Sequence, residues 1–182
     1  CKTKLSDKEF EVVFHHSLDR EKFKEVYKSS FSHVNKHNNF AEWLTGNGIK
    51  YIDIAGSAEN LTNYYATVDF HIGYRVHAHI FMNSIAKQSI LISEDGRAKG
   101  VKSAISGVVL DGYLDFKDSF NSKVLNKIFP FYDRFKANNN LTKELLSEID
   151  YERKIDFIRL KNSRKQIDNN YSIMNFFLKQ LP

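Results

Sequence analysis

The residues best suited to chemistry stand two positions apart in Gly73-Tyr74-Arg75-Val76-His77. Arg75 offers a planar fork that matches a carboxylate or a phosphate, and His77 can give or take a proton near neutral pH. The residues before them, Asp69 to Tyr74 (DFHIGY), have the composition of a strand, and those after them, His77 to Lys87, have helical spacing with Ile80, Phe81 and Ile85 available for packing. An arginine at such a junction sits where the free N–H groups and the dipole of a helix start already favour an anion.

The same alternation occurs on both sides of this junction. Phe10 to His15 (FEVVFH) reads as a first strand, with Ser17 and Asp19 as start signals for a helix. From Arg20 to about Leu44, Phe23, Val26, Tyr27, Phe31, Val34, Phe40 and Trp43 recur at near-helical spacing, with Asn38-Asn39 as the expected interruption and Gly46-Asn47-Gly48 as the end. Lys50 to Ala55 (KYIDIA) reads as a second buried strand, and Ser57, Glu59 and Asn60 signal a helix running through Tyr64-Tyr65. Gln88 to Ser93 (QSILIS) is a fourth strand, almost wholly apolar, and Gly107 to Leu110 is the expected fifth. Short apolar strands separated by helices indicate parallel βαβ units covered on both faces. After Tyr113 helices are expected around Ser122 to Phe131, Thr142 to Lys161 and Gln166 to Leu181, with Asn138-Asn139-Asn140 as a break. The expectation is therefore an α/β fold, a Rossmann-like parallel sheet over residues 1–113 with a helical C-terminal extension, 114–182, packed on it.

In such sheets ligands bind beyond the carboxyl ends of the strands. Four groups fall there: His15 and His16, Gly56 and Ser57, Tyr74 to His77, and Glu94 to Gly100. Each has a plainer reading beside the functional one. Arg75 could pair with Asp69 or Asp95, His77 could cap its helix, and His15 and His16 could be satisfied structural histidines, as is expected of His71 and His79.

The stretch Val68-Asp69-Phe70-His71-Ile72-Gly73-Tyr74-Arg75-Val76-His77 with the apolar helix after it resembles the signature of the polysaccharide pyruvyl transferase family: an Asp, an apolar strand, then Gly-x-Arg-Leu-His. Ser93-Glu94-Asp95 followed by Lys99-Gly100 resembles that family's next strand end and loop. Val76 stands where the family has Leu, and Glu94-Asp95-Gly96-Arg97 departs from its more common Tyr-containing loop. The resemblance covers the central third of the chain. It implies one half, the carboxyl-terminal one, of an enzyme with two Rossmann-like halves resembling the GT-B glycosyltransferases, acting in exopolysaccharide biosynthesis. It further implies phosphoenolpyruvate as co-substrate with no other cofactor, and a glycan or lipid-linked sugar as acceptor. Arg75 would bind the donor's phosphate or carboxylate and His77 would be the acid/base residue, with Gly73, Tyr74, Asp95 and Arg97 at the donor. His16 and Ser57 join them as substrate-binding candidates on the strand-end argument.

Other chemistries find less support. There is no Cys-x-x-Cys, His-Glu-x-x-His or EF-hand loop, and His77 and His79 would not share a helix face, so no metal is expected. Neither Gly-x-Gly-x-x-Gly nor a Walker sequence occurs. The formal charge of +5 is concentrated in the tail, where Tyr151 to Pro182 carries seven Lys and Arg against three acids. That distribution reads as a solvated helix face or as a membrane-surface contact, and nucleic acid is not an expected partner. The rivals to a pyruvyl transferase are a GT-B-like glycosyltransferase with a nucleotide-sugar donor and a non-catalytic glycan- or polyanion-binding module. The single cysteine, Cys1, points to a reducing, cytoplasmic setting, and the opening Cys-Lys-Thr-Lys leads us to expect further chain upstream.

Overall fold

The computed structural model describes residues 9–27, 31–94, 96–105, 107–115 and 135–180. It is an α/β protein whose chain divides into two compact units, Cys1–Val68 and Asp69–Pro182. The parallel strands are shared between them as two separate sheets.

In the first unit β1 (Glu11–Phe14) lies parallel to β2 (Lys50–Asp53), with Phe14 opposite Asp53. Between them come α1 (Arg20–Tyr27) and α2 (Phe31–Gly46), and α3 (Ala58–Thr67) comes after β2. The core is Phe14, Ala41 and Leu44, with Val12, Leu18 and Ile49 packed around it. Asn38 and Asn39 do not interrupt the helix; they lie inside α2. Their weak helix preference, a few tenths of a kcal/mol each, is small beside the burial of Ala41 and Leu44 one turn on. Gly46-Asn47-Gly48 does end it, and Gly48 takes a left-handed conformation that returns Ile49 N–H to the Leu44 carbonyl at 2.9 Å.

The second unit is built on β3 (Phe70–Gly73), β4 (Gln88–Ser93) and β5 (Val108–Asp111), parallel and in the order β3-β4-β5. β4 is the centre, and every residue from Ser89 to Ser93 is buried. Successive side chains of a strand point to opposite faces. On one face Ile90 joins Val108, Leu145 and Ile149, the last two from α6 (Leu141–Lys154). On the other, Ser89 meets α4 (Val76–Ser84), beside which lies α5 (Gly96–Ile105). α7 (Ile158–Leu178) packs on α4 and α5. A small cavity of about 20 Å³, the size of one water, opens among Phe70, Gln88, Ser89, Val108, Glu152 and Ser163, at the amino ends of the strands.

Two expectations for the C-terminal part are corrected. The helices break at 155–157 rather than after Lys161, because Asp156 and Phe157 both adopt positive φ, 50° and 53°. That turn brings Arg159 back onto Glu148 and Glu152 of α6, while Phe157 lines the cavity. Beyond Tyr113 the chain is not only helical either. β6 (Tyr113–Asp115) pairs antiparallel with β7 (Phe135–Ala137). The helix expected around Ser122 to Phe131 lies outside the described residues.

The Asn138-Asn139-Asn140 break is an anchored helix start. Asn138 is buried; its amide donates to the Asp111 carbonyl at 2.9 Å and to Glu144 Oε2 at 3.0 Å, and its Oδ1 accepts from Asn140 N–H at 3.0 Å. Asn138→Ala removes all three bonds and leaves the Asp111 carbonyl without this donor. It is expected to destabilise the protein by about 1–3 kcal/mol, read as a lowered denaturant midpoint with unchanged slope.

Candidate functional site

β3 ends at Gly73 and α4 begins at Val76, so Tyr74 and Arg75 form the junction. Arg75 is the N-cap residue, with extended backbone (φ −85°, ψ 106°), and its side chain makes no capping hydrogen bond. Its carbonyl accepts from His79 N–H at 3.0 Å, closing the first turn. Arg75 itself is half-buried and His77 is exposed on that turn. Helix amides, a guanidinium and an imidazole are thus gathered at the carboxyl end of the sheet, a combination suited to holding an anion and exchanging a proton beside it.

Neighbouring strand ends complete this rim. The Tyr74 ring lies over Gly112, where a side-chain carbon would meet it at 3.2 Å. Gly112 N–H in turn donates to the Ser93 carbonyl at 2.9 Å, tying the end of β4 to the residue after β5. Partial burial, with Tyr113 and Glu94 nearby, pushes the Tyr74 phenol above its ordinary range, so it stays protonated and able to donate. Arg97, on the first turn of α5, stands 3.8 Å from Glu94, both of them exposed. Asp95 lies outside the described residues.

Behind the rim is a buried polar network. Ser89 Oγ lies 2.8 Å from His71 Nδ1 and 2.7 Å from His79 Nδ1, and Asn83 Nδ2 lies 3.3 Å from His79 Nε2. Asn83 Nδ2 also donates to the His79 carbonyl at 2.8 Å, which fixes the orientation of that amide. His79 Nε2 therefore accepts and its Nδ1 carries the proton, donated to Ser89. The Ser89 hydroxyl then donates to His71 Nδ1, leaving the His71 proton on Nε2. Both rings press on glycines: a side-chain carbon at Gly73 would lie 2.9 Å from His71 Nε2, and one at Gly107 would lie 2.6 Å from His79 Nε2. Gly73 is thus needed for close approach at the foot of the motif.

The first unit holds its own strand-end group. His15 Nε2 lies 2.9 Å from the Tyr65 hydroxyl and the two rings stack. The His16 carbonyl accepts from His37 Nε2 at 3.1 Å, and the His16 ring meets Phe23. Ser57 is exposed, and its Oγ accepts from Asn60 N–H at 3.1 Å as the N-cap of α3. Asp53 was not singled out from the sequence, yet its carboxylate accepts from Leu18 N–H and Ala55 N–H, both at 2.8 Å, and so ties together the loops after β1 and β2. Of the candidates, Gly73, Tyr74, Arg75, His77 and Arg97 stand at strand ends of the second unit, whereas His16 and Ser57 belong to the first.

Sequence reasoning missed Ser89, Asn83, Gly112 and Tyr113 as supports of the junction. Nothing local marks Ser89, Gly112 and Tyr113, since each acts on a residue from another element, whereas Asn83 acts on His79 one turn back in α4, a spacing the sequence shows. No group of three or more metal-ligating side chains occurs among the described residues. Compared with protein-family models, with curated proteins and with solved structures, the chain matches none.

Burial pushes His79 down to about 4 from an ordinary 6.5, and a proton on Nε2 would also face the Asn83 amide donor. Between these values the unfolded chain binds a proton that the folded one refuses, so stability falls as pH drops from about 6.5 towards 4. The contribution of His79 is on the order of 3 kcal/mol, fully present above pH 6.5. Urea titrations across this range should show the slope, and His79→Gln should flatten it while lowering stability at pH 7. A wild-type profile with no loss in that window would contradict the buried, neutral assignment.

Proposed function

We propose that the protein is a transferase of the polysaccharide pyruvyl transferase type, moving a pyruvyl group from phosphoenolpyruvate to a sugar hydroxyl of a glycan or lipid-linked acceptor. The observation that carries this reading is the Gly73–His77 junction: a half-buried arginine and an exposed histidine on the first turn of a helix, at the carboxyl end of a parallel sheet. Phosphoenolpyruvate carries a phosphate and a carboxylate on adjacent positions, and Arg75 with the amides of Val76 to Ala78 offers both charge and directed donors. Tyr74 supplies a neutral hydroxyl at the same rim, and Arg97 a second cation.

In this reading the donor's methylene carbon takes up a proton and its central carbon, now electron-poor, is attacked by a sugar hydroxyl. A second hydroxyl closes the ketal as phosphate leaves. Two hydroxyl protons are released; one balances the proton gained by the new methyl group and the other leaves on the phosphate. His77 is the group to which this reading gives their transfer, the Arg75 guanidinium being permanently charged. The buried histidines, His71 and His79, have no part in this transfer. Phosphoenolpyruvate is a cytoplasmic metabolite, and the cytoplasm is the compartment we propose.

Ligand-observed NMR with phosphoenolpyruvate and a panel of nucleotide sugars tests the donor. Phosphoenolpyruvate should bind, and Arg75→Ala should weaken binding at least about tenfold, with Arg75→Lys restoring little because an ammonium lacks the fork. His77→Ala should keep donor binding and lose about 10²-fold or more in acceptor-dependent phosphate release. A preference for nucleotide sugars would replace the donor in this reading, and His77→Ala with undiminished phosphate release would remove the role given to that residue.

A further inference from the structure

Independently of the donor chemistry, we infer that the last two turns of α7 are an interfacial anchor that lays this protein on an anionic phospholipid surface. The first part of α7 is part of the folded unit: Ser163 is fully buried, Arg159 reaches Glu148 and Glu152, and Asn170 Nδ2 donates to the Ala104 carbonyl of α5 at 3.1 Å. Past Asn170 the helix continues with large apolar side chains exposed: Tyr171 61%, Ile173 70%, Met174 50%, Phe176 67%, Phe177 59% and Leu178 52%. Single exposed apolar residues are ordinary, but six within eight positions form a continuous patch of the kind that marks an interaction site.

The arrangement around the helix axis decides which partner fits. At about 100° per residue these six side chains cover an arc of roughly 220°, and the remaining stripe holds Arg164, Lys165, Asp168, Ser172, Asn175 and Lys179. A helix that packs on a protein surface needs an apolar face only about 100° wide, and a flat neighbour would leave half of this arc in water. A bilayer interface surrounds such a helix on all its apolar sides while the polar stripe faces the headgroups. The charge has the matching sign. Of the five basic residues from Ile158 to Gln180, Arg159 pairs with Glu148 and Glu152, Lys161 with Asp156 and Arg164 with Asp168, so the net positive charge of the polar stripe comes from Lys165 and Lys179. Basic residues flanking an apolar helix are drawn to the negative potential of anionic lipid. α7 does not cross a bilayer; no helix among the described residues is long and apolar enough to do so. Eight residues reach about 12 Å, enough to lie within the headgroup and upper acyl region of one leaflet.

Flotation of the whole chain with vesicles tests this, using phosphatidylcholine alone and phosphatidylcholine with a one-third share of phosphatidylglycerol. The protein should float with the anionic vesicles at low salt, and binding should weaken as salt is raised. Phe176→Ser with Phe177→Ser should lower the bound fraction at least about tenfold, and Lys165→Glu with Lys179→Glu should remove the preference for anionic lipid. All four positions are exposed, so circular dichroism should show an unchanged fold. Absence of flotation with either vesicle would overturn the inference. So would binding indifferent to both pairs of substitutions, or a stable dimer in size-exclusion chromatography that the Phe176→Ser, Phe177→Ser protein no longer forms and that shows no vesicle binding.

Discussion

A single hydroxyl, that of Ser89, links the two elements between which the candidate site is strung. It sits in β4, a strand buried on both faces, and bridges His71 of β3 to His79 of α4. A buried serine between two imidazoles can donate to one and accept from the other, and Asn83 selects which by holding His79 Nε2 as an acceptor. Among the described residues no buried side-chain polar atom is left without a partner, so the network costs the core little although it places two histidines there. Its geometry is tight. Gly73 and Gly107 leave room for the two rings where a methyl group would collide.

This bracing explains a division of labour among three histidines within nine residues. His71 and His79 point into the unit and hold strand and helix in register, whereas His77, between them in sequence, is exposed. On a helix, residues two apart diverge by about 200°, so burying His79 presents His77 to solvent. Arg75 sits between strand and helix, where its backbone is extended and its own side chain does not cap the first turn. Rigid support beneath and the amides of a helix start above are what an anion-binding site needs, since donors that need not reorganise bind at less cost.

The first unit solves the same positioning problem with different groups. Asp53 takes the place of the serine, accepting from two backbone amides after different strands, and aromatic rings close around His37. In both units a polar side chain on one strand pins a segment that belongs to its neighbour. That device suits parallel sheets, in which the loops at one end are adjacent in space but far apart in sequence.

Local chemistry determined much of this from the sequence alone. The β4 boundaries, Gln88 and Ser93, come from an unbroken apolar stretch between polar flanks. The start of α3 comes from a serine whose hydroxyl can cap, and the start of α6 from an asparagine that folds back on its own backbone. The strand-to-helix junction at Arg75 is marked by the change of period around it. Tertiary structure decided the rest. Asn38-Asn39 stay helical because Ala41 and Leu44 are buried, and β6 finds β7 about twenty residues on. The turn at Asp156-Phe157 takes positive φ with no glycine to announce it, held by the return of Arg159 to α6. Ser89 reads as one more residue of an apolar strand until His71 and His79 close on it, because hydrogen bonds between elements depend on where the chain returns, and composition and periodicity carry no record of that.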